Sequence, residues 1–198
     1  MASLQTLTKS FSGWVVFCCC CCLPLFLTSP LPPQGAGVAS TTHHACRLKK
    51  TLFQPPYIRN RTYTLAKMAR VLDQDTDNRL IGQQLFVNIK ENNRCYMMKR
   101  VAEIVVKDVL LTEAKEKYPL AKEVTEFLAF LTSEELRRCE SSGQKEHIEN
   151  NLEEMKTKMK ELGENGKTKA IGELDLLFEY LENACTDAPK KGGNKKRN

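Results

Sequence analysis

Residues His147–Leu162 read HIENNLEEMKTKMKEL and place Ile148, Leu152, Met155, Met159 and Leu162 at steps of four, three, four and three. Apolar residues at that spacing line one face of an α-helix, while Glu, Asn and Lys fill the other. About two heptads are too few to sustain a coiled coil, so the stretch is one helix of a packed bundle. A Gly/Asn turn follows at Gly163–Gly166, and a last helix runs from about Lys167 to Cys185. Upstream, Leu120, Val124, Phe127, Leu128 and Leu131 repeat the helical spacing behind Pro119, a residue suited to a helix N-terminus. Thr132 and Ser133 read as a cap for one more turn through Glu135 and Leu136.

Further out, Cys95–Leu111 carries Met98, Val101, Val105 and Val109 on one face. Its Val and Ile content suits a strand, but its length favours a helix. Leu80–Glu91 reads as a short helix with Ile81, Leu85 and Ile89 four apart, and Leu65, Met68, Ala69 and Leu72 mark another that ends near Asp73. Between them DQDTDN, Asp73–Asn78, is a polar loop of turn formers. Residues 46–61 are expected to be extended or irregular, because Pro55 and Pro56 bias the residues before them away from helix. No alternating strand pattern and no internal repeat stands out. The expected fold is all-α, a bundle of about six helices.

The compartment is written near Met1. Trp14–Leu27, WVVFCCCCCLPLFL, is an uncharged run behind Lys9, followed by Gly35, Ala36, Gly37, Ala39 and Ser40. That order is a secretory signal peptide and leader over residues 1–39, with cleavage between Gly35 and Thr42. A type II membrane anchor would need about 20 apolar residues, and Pro24, Pro30, Pro32 and Pro33 weaken such a helix. Residues 40–186 then form one extracellular domain. Of the nine cysteines, Cys18–Cys22 leave with the signal peptide. Cys46, Cys95, Cys139 and Cys185 remain, an even set that implies two disulfides with three connectivities open. No CxxC or CxxxH spacing supports zinc, and no metal or other cofactor is expected.

The net charge of +6 is concentrated in TDAPKKGGNKKRN. There Lys190, Lys191, Lys195, Lys196 and Arg197 face only Asp187, so residues 187–198 read as a disordered basic tail and the domain itself is close to neutral. A nucleic-acid-binding domain would carry its basic patch within the fold, and no nucleic-acid partner is expected.

Catalytic machinery has little support. The histidines are His43, His44 and His147, and no GxSxG, P-loop or HExxH motif is present. Glu134/Glu135 and Glu153/Glu154 are adjacent pairs that do not share a helix face. Recognition is the better class, and the chain is read as not an enzyme. Asn60-Arg61-Thr62 is a glycosylation acceptor, expected to be used at Asn60 in a secreted chain.

On a helical wheel the last helix puts Ala170, Ile171, Leu174, Leu177, Phe178, Leu181 and Cys185 on one side. The opposite side collects Lys169, Gly172, Glu173, Leu176, Tyr180 and Asn183. Leu and Tyr are out of place on a solvated face, and glycine inside a helix costs about 1 kcal/mol relative to alanine. Two readings stand side by side: a helix buried on both sides with Gly172 under a neighbour, or a strip that binds a partner.

KAIGELDLLFEYLENAC (Lys169–Cys185), FQPPYIRNRTYTLAK (Phe53–Lys67), DTDNRLIGQQLF (Asp75–Phe86) and RCYMMKRV (Arg94–Val101) together resemble the interleukin-22 family of class II helical cytokines, a branch of the interleukin-10 family. The resemblance covers about 46–185 with all four cysteines. It implies the pairings Cys46–Cys139 and Cys95–Cys185. It also implies a secreted, monomeric cytokine that bridges the interleukin-22 receptor alpha chain and the interleukin-10 receptor beta chain. Joined receptor tails would then activate Janus kinases and STAT transcription factors in epithelial innate defence, with a soluble decoy receptor as a further partner. The alpha-chain epitope carries over to Thr76, Asp77, Arg79, Lys169, Gly172 and Glu173, which favours the binding reading of the strip. The beta-chain epitope carries over to Tyr57, Asn60, Arg61 and Glu123.

The chain departs from the family in places. Leu120 stands where mammalian members have a tyrosine, sequons around Gln74 and Glu103 are missing, and the tail after Cys185 is additional. That tail could hold the protein on heparan sulfate. The competing readings are another interleukin-10 family cytokine, a secreted helical carrier, and a cationic binding or antimicrobial protein. Dense apolar spacing argues against the hollow core of a carrier, and mixed helix charge argues against a membrane-active helix.

Overall fold

The computed structural model describes residues 46–114 and 117–186, all within one compact unit. The expected signal peptide and leader over 1–39 and the tail over 187–198 lie outside the described residues. Among the described residues six α-helices make the bundle: α1 Pro56–Arg70, α2 Arg94–Ile104, α3 Ala121–Phe130, α4 Lys145–Glu161, α5 Glu164–Gly172 and α6 Leu174–Cys185. Wider π-type turns prolong α2 over Val105–Ala114 and α3 over Leu131–Glu135. Among the described residues the one isolated β-bridge is parallel and joins Leu48 to Thr186.

Several boundaries differ from the sequence reading. α1 starts at Pro56, not near Leu65, because the second proline occupies the first helical turn and its missing N–H is no loss there. Its buried face is Ile58, Thr62, Leu65, Ala66 and Ala69, while Met68 and Leu72 are 40% and 49% exposed. Leu80–Glu91 is not a helix. It holds two short 3-10 turns, Gln83–Phe86 and Glu91–Asn93, with Asn88 at φ 59 between them. The Asn151 amide on α4 donates to the Leu85 and Val87 carbonyls, each at 3.0 Å, and so replaces part of the missing helical ladder. Ile81, Leu85 and Ile89 are still buried.

Thr132 does not cap a new helix. Its hydroxyl donates back to the Leu128 carbonyl at 3.0 Å while the backbone continues without a break. The last helix is two helices that part at Glu173, and the Gly163–Gly166 turn is shorter than expected, since α5 begins at Glu164. Gly166 lies inside α5 against α4, where a Cβ would stand 2.0 Å from the Met159 carbonyl oxygen, so only glycine permits this approach.

The core is closed by α1 against α5 and α6, and by α2 against α6. Phe53 and Phe178 are fully buried and meet edge to face at 5.2 Å. α1 and α6 run antiparallel with polar rungs along one edge: Arg59–Glu182 at 2.6 Å, Tyr63 donating to Glu179 at 2.5 Å, and Arg70–Asp175. Disulfides join Cys46 to Cys139 and Cys95 to Cys185, across 93 and 90 residues. Loops of that length give about 4–5 kcal/mol each in the chain-entropy model, an upper estimate.

Candidate functional site

Asp73–Ile81 leaves the C-terminal end of α1 and crosses over α5. Three polar side chains one turn apart on α5 hold it: Asn165, Lys169 and Glu173 at its C-terminal boundary. Asn165 accepts from the Gln74 N–H at 3.0 Å and donates to Asp73 at 3.1 Å. Lys169, with a side chain only 4% exposed, donates to Asp73 at 3.1 Å and to the Asp75 carbonyl at 2.5 Å. Glu173 is buried and accepts from the Leu80 and Ile81 N–H groups at 3.0 and 2.7 Å. Burial pushes its carboxyl above the ordinary carboxylate range, against the opposing pull of those N–H groups and of Lys169 and Arg79.

The loop also closes on itself. Asp75 accepts from the Asp77 N–H at 3.0 Å, the Asn78 N–H at 3.1 Å and the Asn78 amide at 2.8 Å. The Asn78 hydrogen bond is the main reason the Asp75 carboxyl sits below its ordinary value. Thr76, Asp77 and Arg79 are left exposed at the crest.

The six residues expected at the first epitope therefore have different places. Thr76, Asp77 and Arg79 form the outer surface, while Lys169 and Glu173 lie beneath and hold it up. Gly172 is buried beside α1, where a Cβ would meet the Arg70 Cγ at 3.2 Å and the Arg70 nitrogen at 3.5 Å. The close approach that glycine allows here is that of α1, as the first of the two wheel readings described. Asp73, Asp75 and Asn165 were not singled out in the sequence. The available signal was the four-residue spacing of Asn165, Lys169 and Glu173 on one face of α5.

The four residues expected at the second epitope lie near the N-terminal end of α1 and on α3. Tyr57 is 61% exposed, Asn60 is exposed one turn on, and Arg61 pairs with Glu123 across to α3. Thr62, the third residue of the acceptor sequence, is buried with its hydroxyl on the Ile58 carbonyl at 2.9 Å. Leu120, half-buried, precedes α3 on the same side of the chain as Glu123.

Among the described residues no group of three or more His, Cys, Asp or Glu is placed to hold a metal, and no helix is long and apolar enough to cross a membrane. Among the described residues the architecture is an all-α bundle with two disulfides, in which side chains of α5 hold the Asp73–Ile81 loop. The family model described as Interleukin 22 IL-10-related T-cell-derived-inducible factor matches residues 46–185, and the chain belongs to that family. It is 44% identical to Interleukin-22 of Homo sapiens over 185 residues, covering 93% of this chain and 99% of the human one. It is 45% identical to Interleukin-22b of Mus musculus over 140 residues, covering 71% of this chain and 78% of the mouse protein. These relatives are cytokines, not enzymes, and the partners of the class are cytokine receptors.

Proposed function

We propose that the chain is made with a signal peptide, secreted, and active as a monomer that bridges the interleukin-22 receptor alpha chain and the interleukin-10 receptor beta chain. Thr76, Asp77 and Arg79 make the alpha-chain contact, with Lys169, Gly172 and Glu173 as the framework beneath them. Tyr57, Asn60, Arg61 and Glu123 make the beta-chain contact, with a glycan on Asn60 at its edge. The bridged receptor tails then signal through Janus kinases and STAT transcription factors in epithelial defence. A soluble decoy receptor would compete for the alpha-chain surface.

The observation that carries this reading is the clamp from α5 onto Asp73–Ile81. A charged loop ordered before binding has less conformational entropy left to lose in the complex. The second surface begins at the other end of α1, about 20 Å along the axis from the first at 1.5 Å per residue. Two contact surfaces on one rigid helix fix a spacing between two receptors, and the mechanism is that spacing.

The test is binding of the oxidised mature chain to a matched-species alpha-chain ectodomain, with the beta chain added afterwards. Saturable nanomolar binding, tightened by the beta chain, is expected. A folded, disulfide-bonded sample that binds neither ectodomain would overturn the proposal.

A further inference from the structure

Asn165-Gly166 is the one Asn-Gly pair in the sequence. It stands where the fold makes two separate demands. Gly166 is buried in the first turn of α5 against α4, and a Cβ there would lie 2.0 Å from the Met159 carbonyl oxygen, so the position takes glycine alone. Asn165 holds the loop through both ends of its amide. Its oxygen accepts from the Gln74 N–H at 3.0 Å, and its nitrogen donates to Asp73 at 3.1 Å. An ionised carboxylate only accepts and could not make the second bond. Packing requires the glycine and the clamp requires the amide. Together they build the dipeptide that closes most readily to a cyclic imide, because glycine has no side chain to hinder the attack.

That reaction needs only the chain and water. The Gly166 nitrogen gives up its proton and attacks the Asn165 Cγ, and the side-chain nitrogen leaves as ammonia. Water then opens the imide at either carbonyl, giving aspartate or isoaspartate. The closed molecule holds the reaction back. The Asn165 side chain is turned out to Asp73 and Gln74 rather than onto its own main chain, and the Gly166 N–H is engaged with the Gly163 carbonyl at 3.1 Å. Ring closure therefore needs Asn165 to leave the loop and the first turn of α5 to open, which is a local opening rather than global unfolding.

Either product spoils the latch it came from. Aspartate places a carboxylate where a donor faced Asp73, and like charges at hydrogen-bond distance repel. Isoaspartate adds a carbon to the main chain in the first turn of α5 and displaces Gly166 from the Met159 carbonyl. We propose that Asn165 is a site of spontaneous deamidation gated by the loop. Release of Asp73–Ile81 from α5 permits the reaction, and loss of the ammonia makes the release permanent. The latch thereby limits the working life of the loop it presents. The inference rests on the clamp and not on the receptor proposal, and its test uses no receptor.

The experiment incubates the oxidised mature chain, the Lys169→Met variant and the free peptide Glu161–Gly172 at body temperature and mildly alkaline pH. Peptide mass mapping reads conversion at Asn165. Hydrogen exchange reads the Gln74 and Asp75 amides, which are bonded to Asn165 and Asp73 in the closed loop. The folded parent should convert about tenfold more slowly than the peptide or slower still, with Lys169→Met in between, because an opening equilibrium multiplies the intrinsic rate. Urea too dilute to unfold the parent should accelerate its conversion in the same way, which tests the gate without a variant. Converted parent, separated by its added negative charge, and Asn165→Asp should both exchange the two amides about tenfold faster than the parent. Conversion of the folded parent at the peptide's rate would remove the gate. No conversion at Asn165 in either Lys169→Met or dilute urea would remove the site, and parent-like exchange in the converted protein and in Asn165→Asp would remove the latch. Any one of these results overturns the proposal.

Discussion

The two ends of α1 carry the two candidate contact surfaces, and they are built in different ways. At the N-terminal end Tyr57, Asn60 and Arg61 need only a regular helix to project from. At the C-terminal end Thr76, Asp77 and Arg79 stand on a loop with no regular structure of its own. That loop owes its shape to Asn165, Lys169 and Glu173, which come from a helix some ninety residues later in the chain. The lesson is that a surface carried by local structure and one carried by tertiary structure respond differently to the same kind of damage. Breaking the interior should silence the second while sparing the first.

The largest effect is expected from Lys169→Met. It removes the donor to Asp73 and to the Asp75 carbonyl and leaves the Asp73 carboxylate without its cationic partner, held only by Asn165 and the Asp75 N–H. Breaking such a pair from one side costs about 3 kcal/mol. In a domain of this size that lowers the melting temperature by about 10 °C. Alpha-chain binding should fall with it, while a beta-chain measurement below the new melting temperature stays near normal. A variant that melts normally and keeps alpha-chain binding would remove the clamp from the argument.

Gly172→Arg comes next. The new side chain must displace Arg70 from α5 and disturb the Arg70–Asp175 pair. Overpacking of this kind costs about 1–3 kcal/mol. Helix content by circular dichroism should survive, with a lower melting temperature and lost alpha-chain binding. Lost binding with an unchanged melting temperature would mean that Gly172 itself touches the receptor.

The helical bundle was legible in the sequence because its signal is periodic. Ile148, Leu152 and Met155 are buried as their spacing requires, as are Val124, Leu128 and Leu131. The turn residues between Leu80 and Glu91 misled because Ile81, Leu85 and Ile89 are buried four apart without a helix to carry them. Spacing reports which side chains go inside, but it does not report whether the intervening backbone bonds to itself or to Asn151. The polar loop was recognisable from its composition, yet its shape was not. The partners of Asp73 and Asp75 lie on α5, and no local pattern in DQDTDN announces them.

Tyr57→Ala sharpens the comparison from the helical end. Tyr57 is an exposed side chain on a helix that stays intact without it, so stability should change by less than about 0.5 kcal/mol. If Tyr57 anchors the beta chain, ternary-complex formation should weaken by about tenfold, the scale of a modest hot spot. Alpha-chain binding should be unaffected. A beta-chain affinity equal to that of the parent would take Tyr57 out of the second surface.

The smallest effect is a pH dependence confined to the clamp. The Glu173 carboxyl is raised above its ordinary range by burial, so the folded protein holds that proton more tightly than the unfolded chain. Between the ordinary carboxylate range and the raised folded value, the unfolded state binds fewer protons, and stability must fall as pH rises. Below that window both states are protonated, and above it both are ionised, so the slope is confined to the window. Glu173→Gln keeps an oxygen to accept from the Leu80 and Ile81 N–H groups but cannot titrate. The stability difference between parent and variant should therefore shift against the parent as pH rises through the window, then level off above it. Denaturant titrations of both proteins at closely spaced pH values measure it. A difference that stays flat through the window would mean that the charge on Glu173 is not what the buried loop contact senses.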